Sequence, residues 1–143
     1  MSGAVFEWPI RVYYEDTDAS GVAYHANYLR WFERARTEWL RTLELGQERL
    51  RDELGVVFTV AGLDIVYRRP ARLDDRLQVQ TRVASIKRAS LVFEQRLLRS
   101  ADGELLATVS VRIGCVGYAD FRPVALPAPM QHALERRQGA GAV

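Results

Sequence analysis

Apolar side chains recur with a helical period in the segment that begins near residue 27. One face of the predicted helix carries the apolar side chains of Tyr28, Phe32, Ala35, Trp39 and Leu43. Asn27 is suited to cap the start of this helix, and Gly46 to mark its end. The spacing therefore predicts one long amphipathic helix, followed by a second short helix over Gln47–Leu54 that Gly55 stops.

After Gly55 the apolar period changes to two, which is typical of half-buried strands. Strands are predicted at Val56–Val60, Leu63–Tyr67, Arg76–Ile86, Ser90–Leu98 and Leu105–Cys115. Another short strand, Ile10–Tyr14, precedes the long helix. Phe121–Val124 is predicted to add a last short strand, and Ala128–Arg137 a fraying helix.

One strand, one long helix and then several strands joined by short turns are typical of an α+β domain with an antiparallel sheet. The apolar stripe of the helix is so wide that the sheet must cover much of it. We therefore predict the hotdog arrangement, in which a curved antiparallel β-sheet wraps around one long α-helix. No repeat or linker divides the chain, so residues 1–143 are predicted to form one domain with a disordered tail at 139–143.

The composition excludes several classes of function. The chain has 143 residues, of which 48% are hydrophobic and 27% charged, and its formal net charge is +2. No run of like charges indicates a nucleic-acid arm or a polybasic membrane tag. No apolar stretch approaches the ~20 residues that cross a bilayer, and the N-terminus lacks the pattern of a signal peptide. A soluble, cytoplasmic protein without nucleic-acid partner or membrane span is predicted.

Cysteine and histidine are too scarce for most metal sites. Cys115 is the single cysteine, and its alternating apolar surroundings favour a buried strand thiol over a nucleophile. One cysteine allows neither an intrachain disulfide nor a cysteine-based zinc cage. His25 and His132 lie far apart in the sequence and form no metal-binding pair. We predict neither a metal nor a cofactor.

Polar chemistry is concentrated just before the long helix. Glu15, Asp16 and Asp18 fall within four residues, and His25 follows seven residues after Asp18. A helix start offers free N–H groups that can hold an oxyanion, and a nearby carboxylate can attack a carbonyl or activate water. The same residues also form ordinary turns, and a histidine there also serves in packing or capping. Spacing alone leaves both interpretations open.

A longer stretch, Val12–Leu40, reads V-Y-Y-E-D-T-D-A-S-G-V-A-Y-H-A-N-Y-L-R-W-F-E-R-A-R-T-E-W-L. It resembles the signature of YbgC-type acyl-CoA thioesterases, which belong to the hotdog family typified by 4-hydroxybenzoyl-CoA thioesterase. The combination of D-T-D-x-x-G, Y-H-x-N-Y and F-E-R-A-R carries the resemblance. It continues through Pro70–Asp75 and Ser90–Arg96, so it covers nearly the whole chain.

The resemblance implies roles for individual residues. Asp18, the second aspartate of D-T-D, matches the family's catalytic carboxylate. His25 matches the histidine whose backbone N–H polarises the thioester carbonyl, and Tyr14 a tyrosine that lines the site. The family's basic pair and serine match Lys87, Arg88 and Ser90. These residues are expected to contact the CoA phosphates. For these three, a solvated strand end is the alternative.

The resemblance also implies partners. The expected substrate is an acyl-CoA or an acyl-carrier-protein thioester, with a short aliphatic or aromatic acyl group. Relatives place the active site between protomers, so a homodimer or homotetramer is expected. Tol-Pal or lipid-synthesis proteins are further possible partners. Two other functions stay open: a hotdog dehydratase, and a non-catalytic acyl-carrier or envelope-complex interaction module.

Overall fold

The computed structural model describes residues 5–141 and the side chains of residues 5–136. Its elements are β1 (Phe6–Arg11), α1 (His25–Arg41), α2 (Gln47–Leu54), β2 (Val56–Tyr67), β3 (Arg76–Lys87), β4 (Ser90–Arg99), β5 (Leu105–Gly117) and α3 (Ala128–Gly141). A short 3-10 turn at Tyr14–Asp16 leads from β1 toward α1. Within residues 5–141, no helix is both long and apolar enough to span a membrane.

The five strands form one antiparallel sheet in the order β1-β3-β4-β5-β2, so β1 and β2 are its edges. One face of the sheet buries alternate side chains: Leu77, Val79, Leu91, Phe93, Leu97, Val109 and Val111. Helix α1 contributes Trp31, Phe32 and Ala35 to the same core, all with 0% exposure. The predicted α+β architecture, with an antiparallel sheet packed on one long helix, is confirmed.

The first strand lies four residues earlier than predicted at its start. Strand β1 pairs with β3 from Phe6 to Arg11, and Pro9 lies within it. An edge strand tolerates proline because one side of its backbone has no partner to bond. Tyr14, which was assigned to the strand, instead starts the 3-10 turn. The predicted bounds Ile10–Tyr14 were therefore wrong, because pairing with β3 determines where the strand begins and ends.

The long helix is present, but both of its predicted ends were wrong. Tyr24 occupies the N-cap position, and Asn27 lies inside the first turn with its side chain engaged elsewhere. At the other end the helix stops at Arg41, and Glu44 adopts a positive φ of 61°. Gly46 becomes the N-cap of α2. The bounds of α2 were predicted correctly, with Gly55 in the left-handed conformation at its end.

The later strands agree closely with the alternating pattern. Strand β2 is continuous, and the predicted break near Gly62 is a shift in register between Val60 and Gly62. Cys115 is buried in β5, and burial raises the pKa of its thiol to about 11. The structure therefore supports the buried-thiol interpretation rather than a nucleophilic one.

Two expectations near the C-terminus differ from the structure. Residues 121–124 form no strand and make only one isolated bridge, between Val116 and Pro123. Phe121 has a φ of 57°, which is incompatible with an extended strand. Helix α3 starts at Ala128 as predicted and extends to Gly141, four residues beyond the predicted end at Arg137. The predicted disordered tail at 139–143 stays a prediction. Residues 142 and 143 lie outside the described residues.

Candidate active site

A tight loop between the 3-10 turn and α1 presents Asp18. The backbone N–H of Asp18 donates to the carbonyl of Val22 at 3.0 Å, and that of Gly21 donates to the carbonyl of Asp18 at 3.0 Å. Ala23 anchors the loop to the body of the protein by donating to the carbonyl of Ala71 at 2.8 Å. These bonds fix the backbone on both sides of Asp18 while its side chain stays exposed.

Ser20 holds the carboxylate of Asp18. Oδ1 of Asp18 accepts hydrogen bonds from the backbone N–H of Ser20, at 2.8 Å, and from the Ser20 hydroxyl. The hydroxyl bond, and then the backbone bond, lower the pKa of Asp18 below its ordinary value of 3.8, with a further small contribution from His25. Asp18 is thus ionised at neutral pH, and Oδ2 has no donor among the described residues.

The start of α1 provides the second half of the site. Its N-cap, Tyr24, makes no side-chain capping bond. In residues 5–141 no acceptor binds the backbone N–H of His25 or of Ala26. Two free N–H groups at the positive end of a helix form a ready site for a carbonyl oxygen that gains negative charge.

Aromatic side chains surround this helix start. The hydroxyl of Tyr67, at the end of β2, donates to the carbonyl of His25 at 2.8 Å. The Tyr67 ring meets the ring of Tyr28 edge-on at a centroid distance of 5.1 Å, and Tyr24 packs against His25 at 4.5 Å. Tyr28 in turn accepts a hydrogen bond from the backbone N–H of Ala71. The cluster fixes β2 and the following segment against the helix start.

Tyr14 lies at the edge of this region. It is 81% exposed, and its carbonyl accepts a hydrogen bond from the Thr17 hydroxyl at 2.7 Å. With Arg11 and Leu73 it lines an open surface depression beside the loop. The structure thus brings Asp18 and His25 into one site and leaves Tyr14 on its rim.

Lys87, Arg88 and Ser90 lie together at the β3–β4 hairpin, where Lys87 pairs with Ser90. Tyr67, beside His25, pairs with Ala107 of β5, whereas Ser90 pairs with Gly114. Ala107 and Gly114 are seven residues apart along β5. At about 3.3 Å per residue, Tyr67 and Ser90 are therefore roughly 23 Å apart along the strand direction. Within one chain, the predicted CoA-binding residues are therefore far from Asp18.

A half-open cavity of about 180 Å³ lies farther along α1, between that helix and the strands β2, β4 and β5. Its walls are mainly apolar, including Trp39, Phe58, Phe93 and Met130, while Arg36 supplies a charged group. Loss of solvent lowers the pKa of the Arg36 guanidinium. In another protein, an engineered apolar cavity of similar volume binds benzene. The cavity beside α1 therefore has room for an aromatic ring or a short acyl chain.

Two buried polar groups were not predicted from the sequence. Gln95, 1% exposed, accepts a hydrogen bond from Arg36 and donates to the Phe32 carbonyl and the Thr81 hydroxyl. The signal was available, because Gln95 interrupts the apolar alternation of β4 at a core position. The second group, Asp16 with Asn27, had no such signal, since both residues are ordinary turn and cap formers.

The environment of Asp18 predicts how the activity depends on pH. Because hydrogen bonds lower its pKa, the ionised form persists as the pH falls, until below 3.8. We expect no acidic limb from this group in the rate profile above that pH. Ser20→Ala removes the hydroxyl donor and should move the limb upward, as measured by kcat/KM between pH 3 and 7. An unchanged limb near pH 6 in both proteins would show that another group controls the rate.

Residues 12–134 match the family model of the thioesterase-like superfamily. The chain is 48% identical to an acyl-CoA thioesterase YbgC of Haemophilus influenzae over 129 residues, 90% of this chain and 93% of that protein. It is 47% identical to the acyl-CoA thioester hydrolase YbgC of Escherichia coli O157:H7 over 127 residues, 89% of this chain and 93% of that protein.

Solved structures agree. A probable thioesterase from Bartonella henselae superimposes with a TM-score of 0.82 at 35% identity, over 87% of this chain and all of that one. A 1,4-dihydroxy-2-naphthoyl (DHNA)-CoA thioesterase from Staphylococcus aureus gives 0.85 at 27% identity, over 95% and 91%. The chain is therefore a hotdog enzyme of the thioester hydrolase class. It belongs to the YbgC family of acyl-CoA thioesterases within the thioesterase-like superfamily.

Proposed function

We propose that this protein hydrolyses the thioester of an acyl-CoA to the free acid and CoA, with Asp18 as the catalytic carboxylate. One observation carries the proposal: an ionised carboxylate and two free helix-start N–H groups occur within one anchored loop–helix unit. The names of the YbgC relatives support acyl-CoA as the substrate. The cytoplasm, where acyl-CoA occurs, is then the expected location.

The start of α1 and the loop before it would each supply one part of the catalytic machinery. The thioester carbonyl oxygen would accept hydrogen bonds from the backbone N–H groups of His25 and Ala26, which stabilise the charge it gains in the transition state. Asp18 would act from the loop side, with Oδ2 free of protein donors. It either attacks the carbonyl to form a mixed anhydride, which water then opens, or removes a proton from attacking water. In both routes the CoA thiolate leaves and takes up a proton.

A second copy of the chain would complete the site. The residues of β2 that pair with buried positions of β5 are apolar, yet Val60 is 52% exposed and Leu63 41%. An edge strand with exposed apolar side chains favours pairing with another chain. A partner would also bring a second Lys87, Arg88 and Ser90, which within one chain lie far from Asp18. We therefore keep these three as CoA-binding residues contributed across a dimer or tetramer.

We expect a native mass of at least twice the chain's 16.3 kDa at micromolar concentration, measured by light scattering. Leu63→Arg places a charge among the exposed apolar side chains of β2. The variant should have the mass of one chain, because an unpaired charge is unfavourable to bury in an interface. Thr59→Arg, at an exposed position on the other face of β2, is the matched control and should stay oligomeric. A monomeric wild type would contradict the proposed assembly.

The substrate assignment is tested by the release of free thiol from a panel of acyl-CoAs and acyl-carrier-protein thioesters. Hydrolysis supports the proposal, and the rates across the panel define the acyl group and the carrier. An unsaturated product without thiol release would indicate a dehydratase instead. If no thioester reacts, a non-catalytic module is favoured, and the predicted Tol-Pal or lipid-synthesis partners become the next candidates to test for binding.

A further inference from the structure

Asp16 is a buried carboxylate beside the proposed site, and the mechanism above does not use it. It is 7% exposed. Oδ2 accepts a hydrogen bond from the backbone N–H of Tyr13 at 2.8 Å, and Oδ1 accepts one from the Asn27 side chain at 2.7 Å. Among the described residues no cation lies within 4 Å of it. Burying such a group is unfavourable unless its hydrogen bonds are complete, so both donors matter.

The backbone of Asp16 joins the two halves of the site. Its carbonyl accepts a hydrogen bond from the N–H of Tyr24 at 2.7 Å, and Tyr24 directly precedes His25. Along the chain, Asp16 stands two residues before Asp18. Its side chain reaches Asn27 in the first turn of α1. One residue therefore links the loop that carries Asp18 to the helix start that carries the free N–H groups.

The pairing with Asn27 has a consequence for the helix start. A carboxylate close to a helix N-terminus usually accepts the first backbone N–H groups. Asp16 instead bonds the Asn27 side chain, and Tyr24 at the N-cap makes no side-chain bond. The Asp16 side chain thus lies near the start of the helix without accepting hydrogen bonds from the backbone N–H groups of His25 and Ala26. Those groups stay available for a substrate oxygen.

We propose that Asp16 and Asn27 are positioning residues, whose buried hydrogen bond sets the distance between the Asp18 carboxylate and the His25 N–H. The inference rests on the proposed function, since it gives the pair a role in the same reaction. Neither residue touches the substrate. Their effect is on geometry, and a displacement of about 1 Å at a reacting centre lowers rates by up to about 100-fold.

The test exchanges the two residues. In this geometry Asp16→Asn keeps a single side-chain oxygen, which can accept from Tyr13 or from Asn27 but not from both. Asn27→Asp places two carboxylates face to face, so each single variant loses one of the two hydrogen bonds. The double variant Asp16→Asn/Asn27→Asp restores one donor and one acceptor in the opposite order. We expect each single variant to lower kcat by about 10- to 100-fold with KM little changed. The double variant should recover to within a few-fold of wild type, a coupling that additive effects do not give.

A second readout does not depend on turnover. Hydrogen exchange of the peptide that covers residues 23–28 should be faster in both single variants and return to the wild-type rate in the double variant. Asp52→Asn, an exposed aspartate of α2, is the control for the change of side chain and should alter neither readout. Because the double variant retains the bond, it tests the proposal even if a single variant folds poorly.

The outcomes separate this inference from the proposed function. If Asp18→Asn retains activity while the exchange rates follow the pattern above, the catalytic assignment fails and the positioning contact remains. If Asp18→Asn is inactive but Asp16→Asn keeps wild-type kcat, the positioning role is overturned. The same follows if the double variant is as slow as the single variants although its hydrogen exchange matches that of the wild type.

Discussion

Asp18→Asn is expected to lower kcat for acyl-CoA hydrolysis by at least 100- to 1000-fold. Loss of one preorganised oxyanion donor has an effect of about 3–4 kcal/mol, and loss of the attacking or proton-accepting group should be no smaller. The amide keeps the shape of the carboxylate, and its oxygen can still accept the Ser20 bonds, so the loop should stay folded. It has, however, neither the charge nor the basicity that either route requires.

The measurement is thiol release at saturating substrate, with thermal unfolding as the check on folding. Asp52→Asn is again the matched control, because its side chain is exposed and pairs only with Arg51 among the described residues. We expect that control to keep wild-type turnover. An Asp18→Asn protein that retains turnover within a few-fold would remove Asp18 from the mechanism.

Phe32→Ala is expected to reduce the free energy of unfolding by about 3–5 kcal/mol. Phe32 is 0% exposed in the centre of α1, where the helix meets the sheet. Truncating its ring removes dispersion contacts and leaves a cavity that the surrounding side chains fill only in part. A domain of this size is stable by about 5–15 kcal/mol, so the change is a large share of the total.

Phe121→Ala is the matched control for this substitution. It deletes the same ring at a position that is 65% exposed, and alanine keeps the Cβ that the positive φ already accommodates. We expect a change within about 0.5 kcal/mol, measured for both variants by urea unfolding. Equal losses at the two positions would contradict the placement of Phe32 in the core between helix and sheet.

Features set by neighbouring residues could be predicted from the sequence, and features set by distant contacts could not. Helix α2 has the predicted bounds because its last residues and Gly55 determine them locally. The start of α1 was misplaced because Asn27 bonds Asp16, eleven positions away, instead of capping the helix. Strand β1 was misplaced for the same kind of reason, since β3 determines which of its residues pair.

In the candidate site, too, local features could be predicted and features that depend on distant contacts could not. The loop and the helix start adjoin in sequence, so the nearness of Asp18 to the start of α1 could be predicted. Lys87, Arg88 and Ser90 were grouped correctly with one another, because a hairpin is local. Their separation from Asp18 depends on the register of the sheet, in which Tyr67 and Ser90 pair with residues of β5 that are seven positions apart. Periodicity alone contains no information about that register.

The burial of Cys115 has a practical consequence for every experiment above. The thiol is the only one in the chain, and burial raises its pKa to about 11, so almost no thiolate exists at neutral pH. A colorimetric thiol reagent will therefore register released CoA with little background from the enzyme itself. For the same reason, a cysteine introduced on the surface will be the one reactive thiol in the folded chain. Spin labels attached at such a position can test the proposed pairing of two copies without any need to remove Cys115 first.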